Sequence, residues 1–412
     1  MWQDNAPHRS RSYGKASMKV LVLQSELGVL RGGGENFTRN LFTAFAERGH
    51  RVMAAFVADR RRRYPLPMPA QIEPIPLPGW WSSTLGQGVL SSISGYIPCE
   101  SQFRAQWDRA QEALSWRTFA WHNRRFQRAV ERTFAHRWSA FDVVYVHVDT
   151  LLASKVAQLR PTVLRLPGPV TAELTPMLRA VHAVCANGDA LVRIRAFLGD
   201  HVTELPIGLD GQLFTPGATA VRAALGWAAH HCVVGYVGRL THLKGVDLLA
   251  AAFRETVREA HDARLLIVGS GEEANHIRTV LAQECARGLV HIEPGVNHEQ
   301  LPAWYRAMDL MVMPSRYENY SNALLEALAC GVPCLASDIG GNRMLAETGT
   351  GWLFEPNSVS ALRARLQSIL ENRPEIKARG HIGSRYVRGR YSWAASAERL
   401  EWIIASRLGV KE

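Results

Sequence analysis

Short apolar runs alternate along the chain with segments in which apolar residues recur every three or four positions. Runs of the first kind are typical of strands buried in a parallel sheet, and segments of the second kind predict amphipathic helices. The runs predicted as strands are 19–23, 142–147, 162–166, 180–187, 232–237, 264–271 and 309–314. Because strands and helices alternate in this way, we predict an α/β fold built from βαβ units.

Residues 314–341 carry the strongest chemical signal, because two carboxylates, Glu318 and Glu326, stand eight positions apart there. Glu318 lies in a polar loop after a predicted strand, and Ser321 or Asn322 can cap the helix that follows. Asn322 and Glu326 share one face of that helix near its N-terminus, where free N–H groups and the helix dipole favour an anionic ligand. The two carboxylates can bracket a polyhydroxylated ligand; the alternative is two solvated glutamates near a turn.

Two cations, Arg239 and Lys244, follow the predicted strand 232–237 in the segment GRLTHLKG. Cations at the carboxyl edge of a parallel sheet suit a diphosphate. Ordinary surface charge is the alternative interpretation of this pair.

A glycine-rich turn, Gly32, Gly33 and Gly34, follows the first predicted strand and precedes a helical pattern. Strand, glycine turn and helix form the start of a βαβ unit whose helix N-terminus faces a crevice. Dinucleotide-binding folds use a similar turn, but their G-x-G-x-x-G pattern is absent, because Asn36 and Phe37 occupy positions where it needs glycine. A dinucleotide-dependent oxidoreductase is therefore disfavoured.

Residues 59–140 hold a run of arginines, a proline-rich stretch and, from about residue 102, a long helical pattern rich in Arg and Trp. One interpretation is one or two amphipathic helices packed on the domain. The other is a membrane-surface element, with Arg against anionic headgroups and Trp at the interface. Residues 1–17 are polar and basic, and we interpret them as a disordered arm or a misassigned start.

The chain has 412 residues and a formal net charge of +11, a length that suits about two or three domains. The excess of basic over acidic residues favours anionic partners such as a lipid surface or phosphorylated small molecules. No sequence pattern typical of nucleic-acid binding is present. No apolar run approaches the length of a membrane-spanning helix, and the N-terminus lacks the apolar core of a signal peptide. The cysteines lie mostly in apolar patterns typical of buried reduced thiols, which favours a cytoplasmic protein.

The E-x7-E pattern, followed by ALACGVPCLAS, resembles the retaining GT-B glycosyltransferases of family 4. Further segments are similar to that family, in the same order, along residues 18–405. The turn ending at Glu35 resembles the family's N-terminal loop, and GRLTHLKG resembles its donor pyrophosphate motif. Residues 206–216 resemble its interdomain linker, with Ile207 in place of the usual asparagine.

This resemblance implies a GT-B fold, in which two Rossmann-like domains face an interdomain cleft and a C-terminal helix crosses back to the first domain. Residues 18–207 would form the N-terminal acceptor domain, with an Arg- and Trp-rich helical insertion at about 96–140. Residues 208–390 would form the nucleotide-sugar donor domain, and residues 391–412 the crossover helix.

The resemblance further implies transfer of a sugar from a UDP- or GDP-sugar to a hydroxyl with retention of configuration, without a metal or other cofactor. Arg239 and Lys244 would neutralise the leaving diphosphate and Glu318 would hold sugar hydroxyls, so these three are the expected catalytic residues. Glu326 would accept hydrogen bonds from the donor ribose. The expected donor-binding residues are Gly33, Gly34, Gly238, Arg239, Lys244, Val296, Glu318, Tyr320, Ser321, Asn322, Ala323 and Glu326.

The acceptor side departs from the family pattern, because Pro167 stands where many relatives carry a histidine that contacts the donor sugar. Glu35, His147 and Pro167 are the expected acceptor-side residues. The resemblance implies a glycan or lipid-linked acceptor of the cell envelope, and an enzyme that works in the cytoplasm or peripherally on the inner membrane face. Open alternatives are a catalytically impaired nucleotide-sugar-binding protein and a sugar-nucleotide epimerase.

Overall fold

The computed structural model describes residues 17–28, 33–58, 66–78, 123–168 and 170–409, and the strands within them form two parallel sheets. The first contains β1 (Lys19–Leu23), β2 (Arg51–Ala58), β3 (Ile72–Pro78), β4 (Val143–His147), β5 (Thr162–Leu166), β6 (Ala183–Ala186) and β7 (Val202–Glu204). The second contains β8 (Cys232–Val237), β9 (Ala263–Val268), β10 (Val290–Glu293), β11 (Leu310–Met313), β12 (Cys334–Ser337) and β13 (Gly351–Phe354). The strand orders are β3-β2-β1-β4-β5-β6-β7 and β10-β9-β8-β11-β12-β13, so each sheet has a Rossmann-like order with its ligand crevice at the carboxyl ends of the strands.

Helices connect these strands. Those of the first domain are α1 (Gly33–Glu47), α2 (123–134), α3 (Thr150–Ala157), α4 (Thr175–Arg179) and α5 (Gly188–Leu198). Those of the second are α6 (Val221–Ala224), α7 (Val246–Thr256), α8 (Ala274–Val280), α9 (Ala282–Ala286), α10 (Leu301–Tyr305), α11 (Asn322–Ala329), α12 (Gly340–Leu345), α13 (Val359–Glu371) and α14 (Arg373–Arg390), and α15 (Trp393–Leu408) follows them. Of the helices that the structure describes, none has the combined length and apolarity that crossing a membrane requires.

Both faces of the first sheet are buried. Val20 and Val22 of β1 belong to one core together with Phe37 of α1, whereas Leu21 and Leu23 belong to the core on the opposite face. A strand buried on both faces reads as a continuous apolar run, which is why the sequence predicted β1, β5 and β8 with their observed bounds. Two other predicted strands, 180–187 and 264–271, are shorter in the structure, as β6 and β9.

β3 is an edge strand that hydrophobic patterning did not reveal, because its sequence is IEPIPLP. Pro74, Pro76 and Pro78 alternate along it, so the positions without an N–H group share one edge of the strand. β3 pairs with β2 alone at the end of the sheet, where proline is tolerated because one edge needs no hydrogen-bond partner. The stretch that the sequence analysis noted only as proline-rich is therefore a strand.

The described part of the Arg- and Trp-rich region begins at residue 123. Phe126, Val130 and Phe134 of α2 are buried in the core that also contains Leu21 and Leu23. Their four-residue spacing is thus the core-facing side of a packed helix, as the first interpretation of this region predicted. The rest of the predicted membrane-surface element, residues 60–65 and 79–122, lies outside the described residues, as do residues 1–16.

α15 packs on α1 of the first domain although it follows the second domain in sequence, as the resemblance implied. Trp393 meets Phe37 edge to face, with ring centroids 5.5 Å apart. Farther along the helix, Arg48 Nε and His50 Nε2 lie 2.5 and 2.9 Å from Glu401 Oε1. Although burial acts to raise the pKa of Glu401, its hydrogen bonds with His50 and Arg48 lower that pKa to about 2.

The depressed pKa of Glu401 predicts an acid dependence of stability. Because the folded-state pKa lies below the unfolded value of 4.5, this carboxylate contributes its full stabilisation above about pH 4.5 and loses it as the pH falls towards about 2. We expect Glu401→Gln to lower the melting temperature at pH 7. This difference from wild type should shrink as the pH is lowered from about 4.5 to about 2. A difference that stays constant over that range, measured by thermal denaturation, would contradict this assignment.

Candidate active site

The carboxyl ends of β8 and β11 carry the predicted cations and the first predicted carboxylate. Lys244 lies between β8 and α7, and Glu318 lies between β11 and α11. Gly245, which follows Lys244, has φ of 65°, and a Cβ at this position would be 2.0 Å from the carbonyl oxygen of Pro314. Only glycine allows this approach, and it brings the turn that holds Lys244 against the end of β11.

Lys244 and Glu318 form an ion pair between these two loops, in which Lys244 Nζ donates to Glu318 Oε2. Their side chains are 21% and 11% exposed, so the pair is accessible from the cleft but partly shielded from solvent. Arg239, next to Gly238 at the end of β8, is exposed, and its backbone carbonyl accepts a hydrogen bond from the Tyr236 hydroxyl at 2.7 Å. A diphosphate at this edge would meet two cations and would compete with Glu318 for Lys244.

A second ion pair fixes the loop that carries Glu318. Arg316 donates from its two terminal nitrogens to the Asp247 carboxylate at 2.8 and 2.7 Å, and its backbone N–H donates to the Leu243 carbonyl at 2.9 Å. Burial acts to raise the pKa of Asp247, but the hydrogen bonds from Arg316 outweigh it and lower that pKa. The pair therefore stays charged and joins the two loops of the candidate site.

α11 begins where the sequence predicts, with Ser321 as its N-cap. Ser321 Oγ accepts a hydrogen bond from the Leu324 N–H at 3.3 Å. Tyr320, Asn322 and Ala323 around this cap are half-buried. The free N–H groups of the first turn thus lie within a few residues of Glu318, where the helix dipole favours a negative charge.

Both carboxylate oxygens of Glu326 are held by partners that the sequence analysis missed. Its Oε1 lies 3.1 Å from His298 Nε2, and the Tyr305 hydroxyl donates to its Oε2 at 2.8 Å. Val296, one of the expected donor-binding residues, stands two positions before His298 in the loop after β10. Among the described residues, no hydrogen bond or ion pair joins Glu326 to Glu318, and each carboxylate has its own partners.

The pairing of His298 with Glu326 predicts a pH dependence of stability. The hydrogen bond to Glu326 raises the pKa of His298 above 6.5. The stabilisation of the folded state by the His298–Glu326 pair is therefore complete below about pH 6.5. It is lost as the pH rises through the raised folded-state pKa of His298. We expect His298→Gln to reduce the melting temperature more at about pH 6 than at about pH 9; equal reductions in thermal denaturation at both pH values would argue against a charged pair.

The N-terminus of α1 faces α11 across the cleft. Gly33 and Gly34, predicted in a turn, are instead the first residues of α1. A Cβ at Gly33 would be 3.7 Å from Asn322 Nδ2, and a Cβ at Gly34 would be 2.9 Å from His147 Nε2. The absence of a side chain at Gly34 thus lets α1 approach the end of β4.

The three predicted acceptor-side residues, Glu35, His147 and Pro167, line one cavity of the first domain. Burial lowers the pKa of His147 well below its usual value, and the positive charge of Arg165 lowers it further, so its imidazole is neutral. Pro167 offers no imidazole, but its carbonyl accepts a hydrogen bond from Asn319 Nδ2 at 2.7 Å. The proline that departs from the family pattern therefore connects the cavity to the loop of Glu318.

Asn319 ties the two domains together beside Glu318. Its Oδ1 accepts from the Ala190 N–H at 2.7 Å, and its carbonyl accepts from the Asp189 N–H at 3.2 Å. Gly188 has φ of 58°, and a Cβ there would be 2.1 Å from the Asn319 carbonyl oxygen. The structure thus adds Asn319 to the candidate site, although nothing in the sequence distinguishes it from its neighbours in the loop.

Residues 219–385 match the family model described as Glycosyl transferases group 1. This segment of the chain belongs to the family. The matched span contains Arg239, Lys244, Glu318 and Glu326, so these predicted donor-side residues lie in the part of the chain that the family model covers.

Two relatives show how far the similarity of this chain to known proteins extends. The D-inositol 3-phosphate glycosyltransferase of Segniliparus rotundus is 35% identical over 202 residues, which cover 48% of this chain and 45% of that protein. The GDP-mannose-dependent monoacylated alpha-(1-6)-phosphatidylinositol monomannoside mannosyltransferase of Corynebacterium glutamicum is 31% identical over 229 residues, 52% of this chain and 60% of that protein. The chain thus spans less than two thirds of the length of these relatives.

Solved structures of low sequence identity share the fold of this chain. Sucrose-phosphate synthase from Thermosynechococcus elongatus matches with a TM-score of 0.73 and 20% identity, over 95% of this chain and 99% of that chain. Anabaena Alr3699/HepE in complex with UDP and glucose matches with a TM-score of 0.66 and 17% identity, over 94% of this chain and 100% of that chain. The protein has the GT-B fold that the resemblance implied.

Proposed function

We propose that the protein transfers a sugar from a nucleoside diphosphate sugar to a hydroxyl group, with retention of configuration. The observation that carries this proposal is the Lys244–Glu318 ion pair beside the exposed Arg239, at the carboxyl edge of the second sheet. Two cations suit the diphosphate, and a carboxylate next to them suits the hydroxyls of the attached sugar.

Each residue has a distinct part in the proposed reaction. Arg239, Lys244 and the first N–H groups of α11 stabilise the negative charge that develops on the diphosphate as its bond to the sugar breaks. Glu318 orients the sugar, and Glu326 accepts hydrogen bonds from the ribose while His298 holds it in place. The acceptor oxygen forms the new bond on the same face, and a diphosphate oxygen takes its proton, so no metal and no covalent enzyme intermediate are required.

The acceptor that we propose is a glycan or a lipid-linked molecule at the cytoplasmic face of the membrane. One relative is named for a phosphatidylinositol monomannoside acceptor, and the net charge of +11 favours an anionic surface. The donor is a UDP- or GDP-sugar, since a relative is named for GDP-mannose and a protein of the same fold is solved with UDP and glucose.

The proposal is tested by thermal denaturation with a panel of UDP-, GDP- and ADP-sugars. A ligand that binds only the folded state stabilises it by about 2.7 kcal/mol at a hundredfold excess over Kd. We expect one nucleotide family to raise the melting temperature of the wild type, and Arg239→Ala and Glu326→Ala to lose most of this rise. The exposed residues Arg385 and Glu371 provide matched controls, Arg385→Ala and Glu371→Ala, that should retain it.

Two outcomes would count against the proposal. If no nucleotide sugar stabilises a well-folded wild-type protein, the donor-site assignment is wrong. If a nucleotide sugar binds but is never consumed with any acceptor or water, the protein is a nucleotide-sugar-binding protein without turnover, as the loss of the usual histidine at Pro167 would allow.

A further inference from the structure

A cavity of about 210 Å³ lies in the first domain, between the carboxyl ends of β1 and β4 and the start of α1. Its polar lining residues include Glu26, Glu35, Asn123, His147 and Asp149. Two contacts place it beside the donor site: the Pro167 carbonyl at its rim is bonded to Asn319, and Gly33 next to its lining faces Asn322. A molecule in this cavity would therefore lie beside the loop that holds Glu318.

Three carboxyl groups line the cavity, those of Glu26, Glu35 and Asp149, and burial raises the pKa of two of them. Burial, together with the neighbouring Glu35, raises the pKa of Glu26 to about 7. Burial also raises the pKa of Asp149, although Gln127 donates to both of its oxygens at 2.9 and 2.8 Å. Glu35 Oε1 lies 3.4 Å from Gln24 Nε2. Because its pKa is about 7, Glu26 is partly protonated at neutral pH, so the lining has partial negative charge and many hydrogen-bond acceptors.

No Lys or Arg is found among the described residues that line the cavity. His147 is neutral there, and its residue is only 7% exposed. Its Nδ1 is buried and has no hydrogen-bond partner among the described residues. Arg165, opposite His147 in the strand register, is 3% exposed and stacks on the Phe37 ring at 3.5 Å, and it does not line the cavity.

These features decide which ligand the cavity can take. Carboxylates and a neutral imidazole pair well with hydroxyl and ammonium donors. A phosphate would be repelled by the ionised carboxylates, and the described lining has no cation to replace the hydration that the phosphate would lose. The described residues also hold no group of three or more His, Cys, Asp or Glu placed to bind a metal ion, which favours an organic ligand.

We infer that this cavity, which we call the acidic pocket, binds the reacting ring of the acceptor as an uncharged polyol or an amino sugar and rejects a ring that carries phosphate. The inference rests on the proposed function, since it assigns the acceptor class of that site. It separates this chain from the relative named for D-inositol 3-phosphate. A lipid-linked acceptor still fits, provided that its phosphate lies outside the acidic pocket.

The test compares matched acceptors with the donor found in the thermal panel. Initial rates are measured with myo-inositol against D-inositol 3-phosphate, and with methyl glucoside and glucosamine against glucose 6-phosphate. We expect kcat/KM to be at least about tenfold higher for the uncharged or amino member of a pair, a difference of about 1.4 kcal/mol. Equal or faster use of the phosphorylated member overturns the inference.

Variants link this selectivity to the acidic pocket. Glu26→Gln and Glu35→Gln keep the size of each side chain and remove its ability to ionise, so we expect both to reduce the discrimination against phosphorylated acceptors. Glu371→Gln, on the exposed end of α13, is the matched control and should leave it unchanged. If both acidic-pocket variants still discriminate fully against phosphorylated acceptors, these carboxylates do not cause the selectivity, and their assignment is wrong.

A binding measurement keeps the inference distinct from the proposed function. The same small acceptors are titrated against the wild-type protein with the nucleoside diphosphate present, and binding is followed by ligand-observed NMR with and without Glu35→Gln. Failure of every nucleotide sugar to bind removes the proposed function, but polyol or amine binding that Glu35→Gln weakens would still support the acidic pocket. If the donor binds and no polyol or amino sugar does, the inference alone is wrong.

Discussion

Lys244→Ala is expected to lower kcat/KM for the donor by about 10²–10³-fold, because it removes a preorganised cation from the leaving diphosphate. It also leaves Glu318, which is 11% exposed, without its ion-pair partner, so a carboxylate would face the diphosphate unneutralised. The loss should appear in kcat as well as in donor affinity, since the charge on the diphosphate grows in the transition state. Steady-state kinetics of donor consumption, with the fold checked by circular dichroism, measures both.

The matched control for this prediction is Lys377→Ala, because Lys377 is an exposed lysine of α14. It should change kcat/KM by less than a factor of about two, in line with surface substitutions generally. A Lys244→Ala enzyme that stays within tenfold of wild type would show that this cation does not act on the leaving group.

Gly341→Ala is expected to destabilise the protein by about 1–3 kcal/mol, the usual range for overpacking. A Cβ at Gly341 would be 2.3 Å from the Glu318 carbonyl oxygen and 2.4 Å from that of Asn319. Both contacts are with backbone atoms, so the loop itself has to move. Because this loop positions Glu318 and joins the domains through Asn319, donor affinity should fall together with the free energy of unfolding.

Gly389→Ala is the control for this substitution. Gly389 lies in α14, and a Cβ there would meet nothing within 4 Å. Alanine should therefore leave donor binding unchanged and stabilise the helix by roughly 0.5–1 kcal/mol. Urea denaturation and the donor thermal shift, measured on both variants, separate a local clash from a general effect of losing glycine; an unaffected Gly341→Ala protein would show that the loop is not constrained.

Local signals in the sequence identified the framework of the site. Ser321 caps α11 as its side chain predicts, and the apolar runs at β8 and β11 fix the sheet edge from which Arg239 and Glu318 emerge. Such features depend on residues close together in the chain, so patterning can find them. The resemblance to family 4 then supplied the two-domain arrangement, which no local pattern encodes.

What the sequence could not show depends on contacts between distant residues. His298 and Tyr305 precede Glu326 by 28 and 21 positions, and nothing in their local pattern marks them as its partners. Asn319 is distinguished only by its contacts across the domain boundary, where its Oδ1 accepts a hydrogen bond from the Ala190 N–H at 2.7 Å. β3 was not predicted as a strand for a different reason. Its alternating prolines are atypical of strands, although they are compatible with the edge of a sheet.

The position of α15 restricts how two proteins of this fold can exchange domains by recombination. By sequence this helix belongs to the end of the chain, yet Trp393 packs on Phe37, and Glu401 holds Arg48 and His50. In a chimaera of two such proteins with a single crossover near the interdomain linker, α1 of one parent would pack against the C-terminal helix of the other parent. Recombination that preserves the interface needs two crossovers, so that Gly33–Glu47 and Trp393–Leu408 are inherited together while the donor domain between them is replaced.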